Sequence, residues 1–175
     1  MKLLIRVIIA SLILGITSWV IIQLPSVQDR ILVAAFSALG SGSNNLPKED
    51  ALSAAVCGSR SPIPSPGRAE TCILISAGED LFVVDIGDGS NNNLRSWNIN
   101  FRNIEAVLIT HLHSDHIADL PGLHQNAWVI GERSSKLKVF GPEGVDQFTQ
   151  GIEMAYAHDY VFRNEHQGDV IASLE

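Results

Sequence analysis

The run Ile104–Thr110 (IEAVLIT) leads without a break into His111-Leu112-His113-Ser114-Asp115-His116. A short apolar run rich in β-branched residues reads as a buried strand. Side chains alternate along an extended chain, so His111 and His113 fall on one side of its end. Ser114 or Asp115 is suited to cap a helix starting near His116. A lone histidine is more often a packing or surface residue, but three imidazoles and a carboxylate at one strand end form a dense ligand set. Neutral imidazole and carboxylate oxygen are both zinc donors. The spacing suggests two metal positions, with His111 and His113 on the first ion and Asp115 and His116 on the second. Two ions about 3.5–4 Å apart share a hydroxide and clamp a phosphoryl or carbonyl oxygen. Asp115 is then the catalytic candidate, orienting that nucleophile or taking its proton.

The segments before this strand read as strand and turn. Ala51–Cys57 is apolar and ends at Gly58, and Ser59–Arg68 carries three prolines and reads as an extended loop. Thr71–Ser76 and Leu81–Ile86 are strands joined by a hairpin turn at Ala77-Gly78-Glu79-Asp80, with the first apolar segment beside them. Asp85-Ile86-Gly87-Asp88-Gly89 closes the second of these strands. A short helix is expected around Leu94–Trp97, a strand at Lys138–Phe140 closed by Gly141-Pro142-Glu143-Gly144, and a helix over Val145–Tyr156. Cys57 and Cys72 are either a disulfide or two small buried thiols on neighbouring strands, and spacing alone does not decide.

The N-terminus adds a separate unit. Lys2 and Arg6 flank an apolar run, and Val7–Leu24 is 18 residues long, enough to cross a hydrocarbon core of about 30 Å. Positive charge ahead of the run places the N-terminus in the cytoplasm and the remainder on the extracytoplasmic, periplasmic side. The reading is an uncleaved anchor, with a cleaved signal peptide as the competitor. Gln28–Leu39 has helical spacing, and Gly40–Glu49 is a Gly/Ser/Asn-rich linker. The expected organisation is therefore an anchor or signal over 1–24, a juxtamembrane segment and linker over 25–49, and a folded domain over 50–175. The net charge of −7 argues against non-specific nucleic-acid binding, though it leaves room for a local basic groove.

His-x-His-x-Asp-His after an apolar strand resembles the metallo-β-lactamase superfamily. Gly58–Arg68 looks like the Gly-x-x-x-Pro-x-Pro…Arg loop of its ribonuclease Z and arylsulfatase branch. Asp85-x-Gly87 looks like the aspartate-glycine after the third strand, and Val139–Gly144 looks like the Gly-Pro turn of ribonuclease Z proteins. The resemblance implies an α/β protein, an αββα sandwich with two zinc ions on its rim held through His111, His113, Asp115 and His116. Asp85 would position the ligands by hydrogen bonding; a plain turn aspartate is the alternative.

The family fold has two similar halves, and its remaining ligands come from later strands. His124 reads as a surface or packing residue, and His158 follows Tyr156-Ala157 near a helix end. His166 is a weak candidate for a further ligand, and neither Asp159 nor Asp169 is a better bridging candidate. The residues after the linker are too few for both halves, so the sequence reads as an N-terminal portion truncated near the first half, with one sheet face uncovered. Val170–Leu174 looks like the start of another element.

The expected function is hydrolysis of a phosphodiester or sulfate ester by a dinuclear, metal-bound hydroxide, on a small-molecule or nucleotide-type substrate. Transfer-RNA processing fits an exported acidic domain badly. A β-lactamase-type amide or ester hydrolase is one alternative. A non-catalytic, membrane-anchored domain binding metal or a partner is another.

Overall fold

The computed structural model describes residues 2–40, 51–168 and 171. The expected linker at 41–49, the domain start at Asp50, Asp169 and most of Val170–Leu174 lie outside the described residues. The chain divides into two units, Met1–Ser37 and Ala38–Glu175.

The first unit holds α1 (Lys2–Ile22) and most of α2 (Pro25–Gly40). The window Ile5–Ile22 has a mean hydropathy of 2.3 and is not buried, so by length and composition one helix is able to cross a membrane. Proline at the start of α2 suits a first helical turn, where its missing N–H costs nothing. The helix covers the expected Gln28–Leu39 segment and starts three residues earlier.

The second unit is built on a five-stranded sheet in the order β1 (Leu52–Gly58), β2 (Cys72–Ala77), β3 (Asp80–Val84), β4 (Ile104–Leu108), β5 (Lys138–Phe140). The first three strands form the expected antiparallel meander, while β4 lies parallel to β3 and β5 parallel to β4. The parallel pairs require crossovers. One contains α3 (Ser90–Ser96) and a 3₁₀ turn at Phe101–Asn103, the other α4 (Ser114–Ile117) and α5 (Leu120–Val129). The chain continues into α6 (Val145–Gln167).

One side of the sheet carries the core. Leu74, Leu81, Val83, Ile104 and Val107 are buried there with Leu94 of α3 and Leu120, Leu123 and Ala127 of α5, and Phe148 and Ile152 of α6 pack against the cluster. Cys57 and Cys72 sit in this core and form a disulfide joining β1 to β2, which resolves the open choice left by the sequence. Closing a loop of 15 residues this way stabilises a fold by about 3 kcal/mol in the chain-entropy account.

The other side is also apolar but open. Val56, Ile73, Val84, Leu108 and Phe140 stand in register across all five strands. Four of these five are exposed, Val84 being half-buried. The expectation of a sheet with one uncovered face matches these residues.

The helix at the C-terminal end corrects the sequence reading. Its spacing predicts an end at Tyr156, but the helix runs to Gln167, carrying His158 and His166 on a helix with no strand before them. Tyr160 explains the extension: it packs edge-on against Trp128 and His124 of α5, holding the second half of α6 to the layer below.

Candidate metal centre

Parallel strands bring their outgoing segments to one edge, and ligand sites in such sheets collect at the carboxyl ends of the strands. β3 ends at Val84, with Asp85 next in the chain; β4 ends at Leu108, and Ile109, Thr110 and the histidine segment come after it. The ladder continues one step beyond the strands, since Asp85 N–H donates to the Leu108 carbonyl and Ile109 N–H to that of Phe140. Asp85 and Thr110 are thereby brought side by side.

Asp85 is the organising residue. It is 3 % exposed, and its backbone lies in the left-handed region at φ 56°. Its Oδ1 accepts from Thr110 N–H at 2.8 Å, and its Oδ2 accepts from the Thr110 hydroxyl at 2.8 Å. His116 Nδ1 stands 2.8 Å from the same Oδ2. A carboxylate only accepts, so this contact puts the ring proton of His116 on Nδ1 and leaves the Nε2 lone pair free. Thr110 Oγ1, already donating to Asp85, is 3.1 Å from His111 Nδ1. His111 must therefore donate from Nδ1, and its Nε2 is likewise left as an acceptor. Sequence reasoning missed Thr110; its only signal was a hydroxyl residue directly before the first histidine.

The ligand-capable atoms adjoin in two pairs. His113 Nδ1 donates to His111 Nε2 at 3.0 Å, and His116 Nε2 lies 3.6 Å from Asp115 Oδ2. Two ligands at zinc bond lengths and a tetrahedral angle stand about 3.3 Å apart. Both pairs match that span, with two donor atoms each. The rings of His111 and His116 are 3.9 Å apart, so the pairs adjoin. Among the described residues, no three His, Cys, Asp or Glu side chains are placed to hold one metal ion together. Burial is graded: Asp115 is buried, His111 and His116 half-buried, and His113 exposed.

The remaining histidines lie elsewhere. His166, the weak ligand candidate, is exposed in the last turn of α6 with Nδ1 3.1 Å from the Phe162 carbonyl of its own helix. His158 is exposed beside Phe162. His124 is a packing residue of α5; it lines a cleft of about 140 Å³ with Lys136, Glu153 and Tyr160, away from the cluster. Burial is the main reason its pKa falls below 6.5, reinforced by Lys136 and Arg133 and opposed by Glu153. Asp119, just past the cluster, has its pKa raised, chiefly by burial.

A mixed sheet with a histidine–aspartate cluster at the carboxyl ends of its parallel strands is an α/β architecture with a candidate metal site on its edge. The description of the Metallo-beta-lactamase superfamily matches residues 65–173, and the chain belongs to that superfamily. Among its relatives are proteins named Ribonuclease Z from Mycobacterium bovis (strain BCG / Pasteur 1173P2), 36% identical over 115 residues, and from Mycobacterium marinum, 36% identical over 117 residues. These matches cover 65% and 66% of this chain but 41% and 42% of the relatives, so the chain spans about two fifths of their length. Among solved structures, the short form of human tRNase Z has a TM-score of 0.53 and 25% identity over 59% of this chain and 40% of its own. A long form RNase Z from yeast has a TM-score of 0.54 at 16% identity, covering 70% of this chain and 18% of that one, a likeness of fold.

Proposed function

We propose that this chain supplies the ligand-bearing strand end of a zinc-dependent hydrolase of the ribonuclease Z type, acting on a phosphodiester. The observation that supports this most is the pairing of donor atoms. Asp85 and Thr110 hold His116 and His111 through Nδ1, which leaves Nε2 of each as an acceptor, one beside His113 Nδ1 and the other beside Asp115 Oδ2. His111 with His113 would hold one zinc ion and Asp115 with His116 a second. Zinc bound there would polarise an ester oxygen and make water acidic enough to attack near neutral pH. The chain's own contribution is orientation: Asp85 fixes the tautomer and direction of His116, and buried Asp115 presents one carboxylate edge to the site. Asp115 would also orient the attacking water.

The names of the relatives put a nucleic acid forward as the natural phosphodiester. The net charge of −7 and the apolar α1 favour a smaller ester met outside the cytoplasm, with α1 as a membrane anchor. Sulfate esters belong to the same test. The full-length protein, loaded with zinc, is assayed on bis(p-nitrophenyl) phosphate, p-nitrophenyl sulfate and a precursor tRNA. The expected result is turnover of the phosphodiester that falls at least about 100-fold in His113→Ala and Asp115→Ala, with folding intact by circular dichroism. Wild-type turnover in Asp115→Ala overturns the assignment, and cleavage of the tRNA alone overturns the small-ester substrate. A reporter fused after Glu175 that is active only in the cytoplasm overturns the exported topology.

A second reading has one observation behind it. Because no three donors meet among the described residues, a non-catalytic domain that binds metal or a partner through this half-site fits the same geometry. Zinc binding without turnover of any of the three substrates selects it.

A further inference from the structure

Beside the Asp115–His116 pair lies a charged network, buried at Glu70 and open at Asp88, that the metal reading does not use. Glu70 is 9 % exposed, and a glutamate so placed needs partners. Its Oε1 is 3.2 Å from Nη2 of Arg60, whose same nitrogen donates to Asp88 Oδ2 at 3.2 Å. Its Oε2 accepts from Asp88 N–H at 3.0 Å, and its own N–H donates to the Asp88 carbonyl at 2.9 Å. Glu70 therefore grips residue 88 through both backbone and side chain.

The grip reaches the site through one glycine. Gly87 has no room for a side chain: a Cβ there would collide with both the Glu70 Cβ and the carbonyl oxygen of Asp115. Its neighbour Ile86 donates its N–H to the His116 carbonyl at 2.7 Å and accepts from Asp119 N–H at 3.0 Å. Residues 86–88 are thus packed against both Glu70 and the Asp115–Asp119 turn. None of these contacts involves His111 or His113, which are tied to the turn only one residue earlier, through Thr110 and Asp85.

We infer that Glu70, clamped by Arg60, is a positioning residue for the Asp115–His116 pair, setting that pair's placement through Asp88 and Gly87 and leaving the His111–His113 pair alone. The inference rests on the metal reading of the cluster. The chain of contacts carries it, because a displaced Glu70 frees the 87–88 turn against which the Asp115 peptide is seated.

The test uses full-length protein and Glu70→Gln, which keeps the shape and one acceptor but loses the charge that holds Arg60. Stepwise zinc affinities are measured by competition with a chromophoric chelator. The histidine ring signals of the metal-free protein are monitored by NMR. The expected result is that one zinc equivalent weakens about 10- to 100-fold while the other stays at the wild-type value. In the metal-free protein the His116 ring signals shift furthest, those of His111, whose ring lies 3.9 Å away, less, and those of His113 least. Equal weakening of both equivalents, or no change in either with unmoved His116 signals, overturns the inference. If Glu70→Gln does not fold, Arg60→Met takes its place, since it keeps most of the stem but removes the nitrogen that contacts both Glu70 and Asp88. The same selective loss is expected there, smaller in size, and unchanged affinities overturn the inference. Wild-type protein that binds no zinc overturns the metal reading instead, which separates that failure from this one.

Discussion

Asp85 holds a conformation that a non-glycine residue adopts at a cost of about 1–3 kcal/mol. The three bonds it accepts in that conformation, from Thr110 N–H, the Thr110 hydroxyl and the His116 ring, offset the strain. Asparagine visits the left-handed region as readily as aspartate, so Asp85→Asn isolates the chemistry from the backbone. Its amide has one accepting oxygen, and its NH₂ would face a donor at Thr110 or at His116. His116 would have to move its proton to Nε2 to keep the contact, which removes the lone pair that faces Asp115. The expected outcome is a protein with wild-type circular dichroism and zinc affinity lower by about 10- to 100-fold. Nitrogen NMR of the His116 ring should show the opposite tautomer. Wild-type zinc affinity in Asp85→Asn would sink the orienting role. Its aspartate-glycine turn marks Asp85 in the sequence, but its partner Thr110 carries no such mark, because a hydroxyl on a strand end has many ordinary uses.

At the scale of elements, the sequence is legible where period and punctuation agree. The hairpin at Gly78, the strand leading to His111 and the short β5 all lie close to their expected bounds. The length of α6 is not legible, because its second half is held by ring packing on α5 that no local pattern encodes. The Arg60–Glu70–Asp88 network is invisible for the same reason: its members come from a proline-rich loop, the segment just before β2 and the turn after β3. The α5–α6 contact has a pH signature. Burial depresses the His124 pKa in the folded state below 6.5, so above that pH both folded and unfolded chains hold it neutral and it contributes no pH dependence. As pH falls below 6.5 the unfolded chain takes up the proton first, and the folded state loses stability until its own lower pKa is passed. His124→Phe keeps a ring beside Tyr160 and removes the titration. Denaturant midpoints of the variant should fall less than those of the wild type across that acid range. Parallel acid limbs in the two proteins would mean that other groups govern the slope.

For the whole molecule, the decisive fact is the second face of the sheet. Strands covered on one side alternate apolar and polar residues, whereas strands buried on both sides read as continuous apolar runs. Cys72-Ile73-Leu74-Ile75 and Leu81-Phe82-Val83-Val84 are of the second kind, yet the described residues cover only the side that carries Leu74 and Val83. The row Val56, Ile73, Val84, Leu108 and Phe140 forms a contiguous apolar strip, a surface that soluble monomers rarely leave open. The two faces should therefore answer differently to substitution in this 175-residue chain. Leu74→Ala empties a site that is 1 % exposed, and such a change costs about 2–5 kcal/mol. Leu108→Ser and Phe140→Ser alter residues already in contact with solvent, where changes stay within about 0.5 kcal/mol. The same pair of serines should lower the fluorescence of bound 8-anilino-1-naphthalenesulfonate and reduce concentration-dependent association in sedimentation. If Leu108→Ser instead costs as much as Leu74→Ala, the outer face is packed in solution, and the open sheet described for these residues is not the state the chain adopts there.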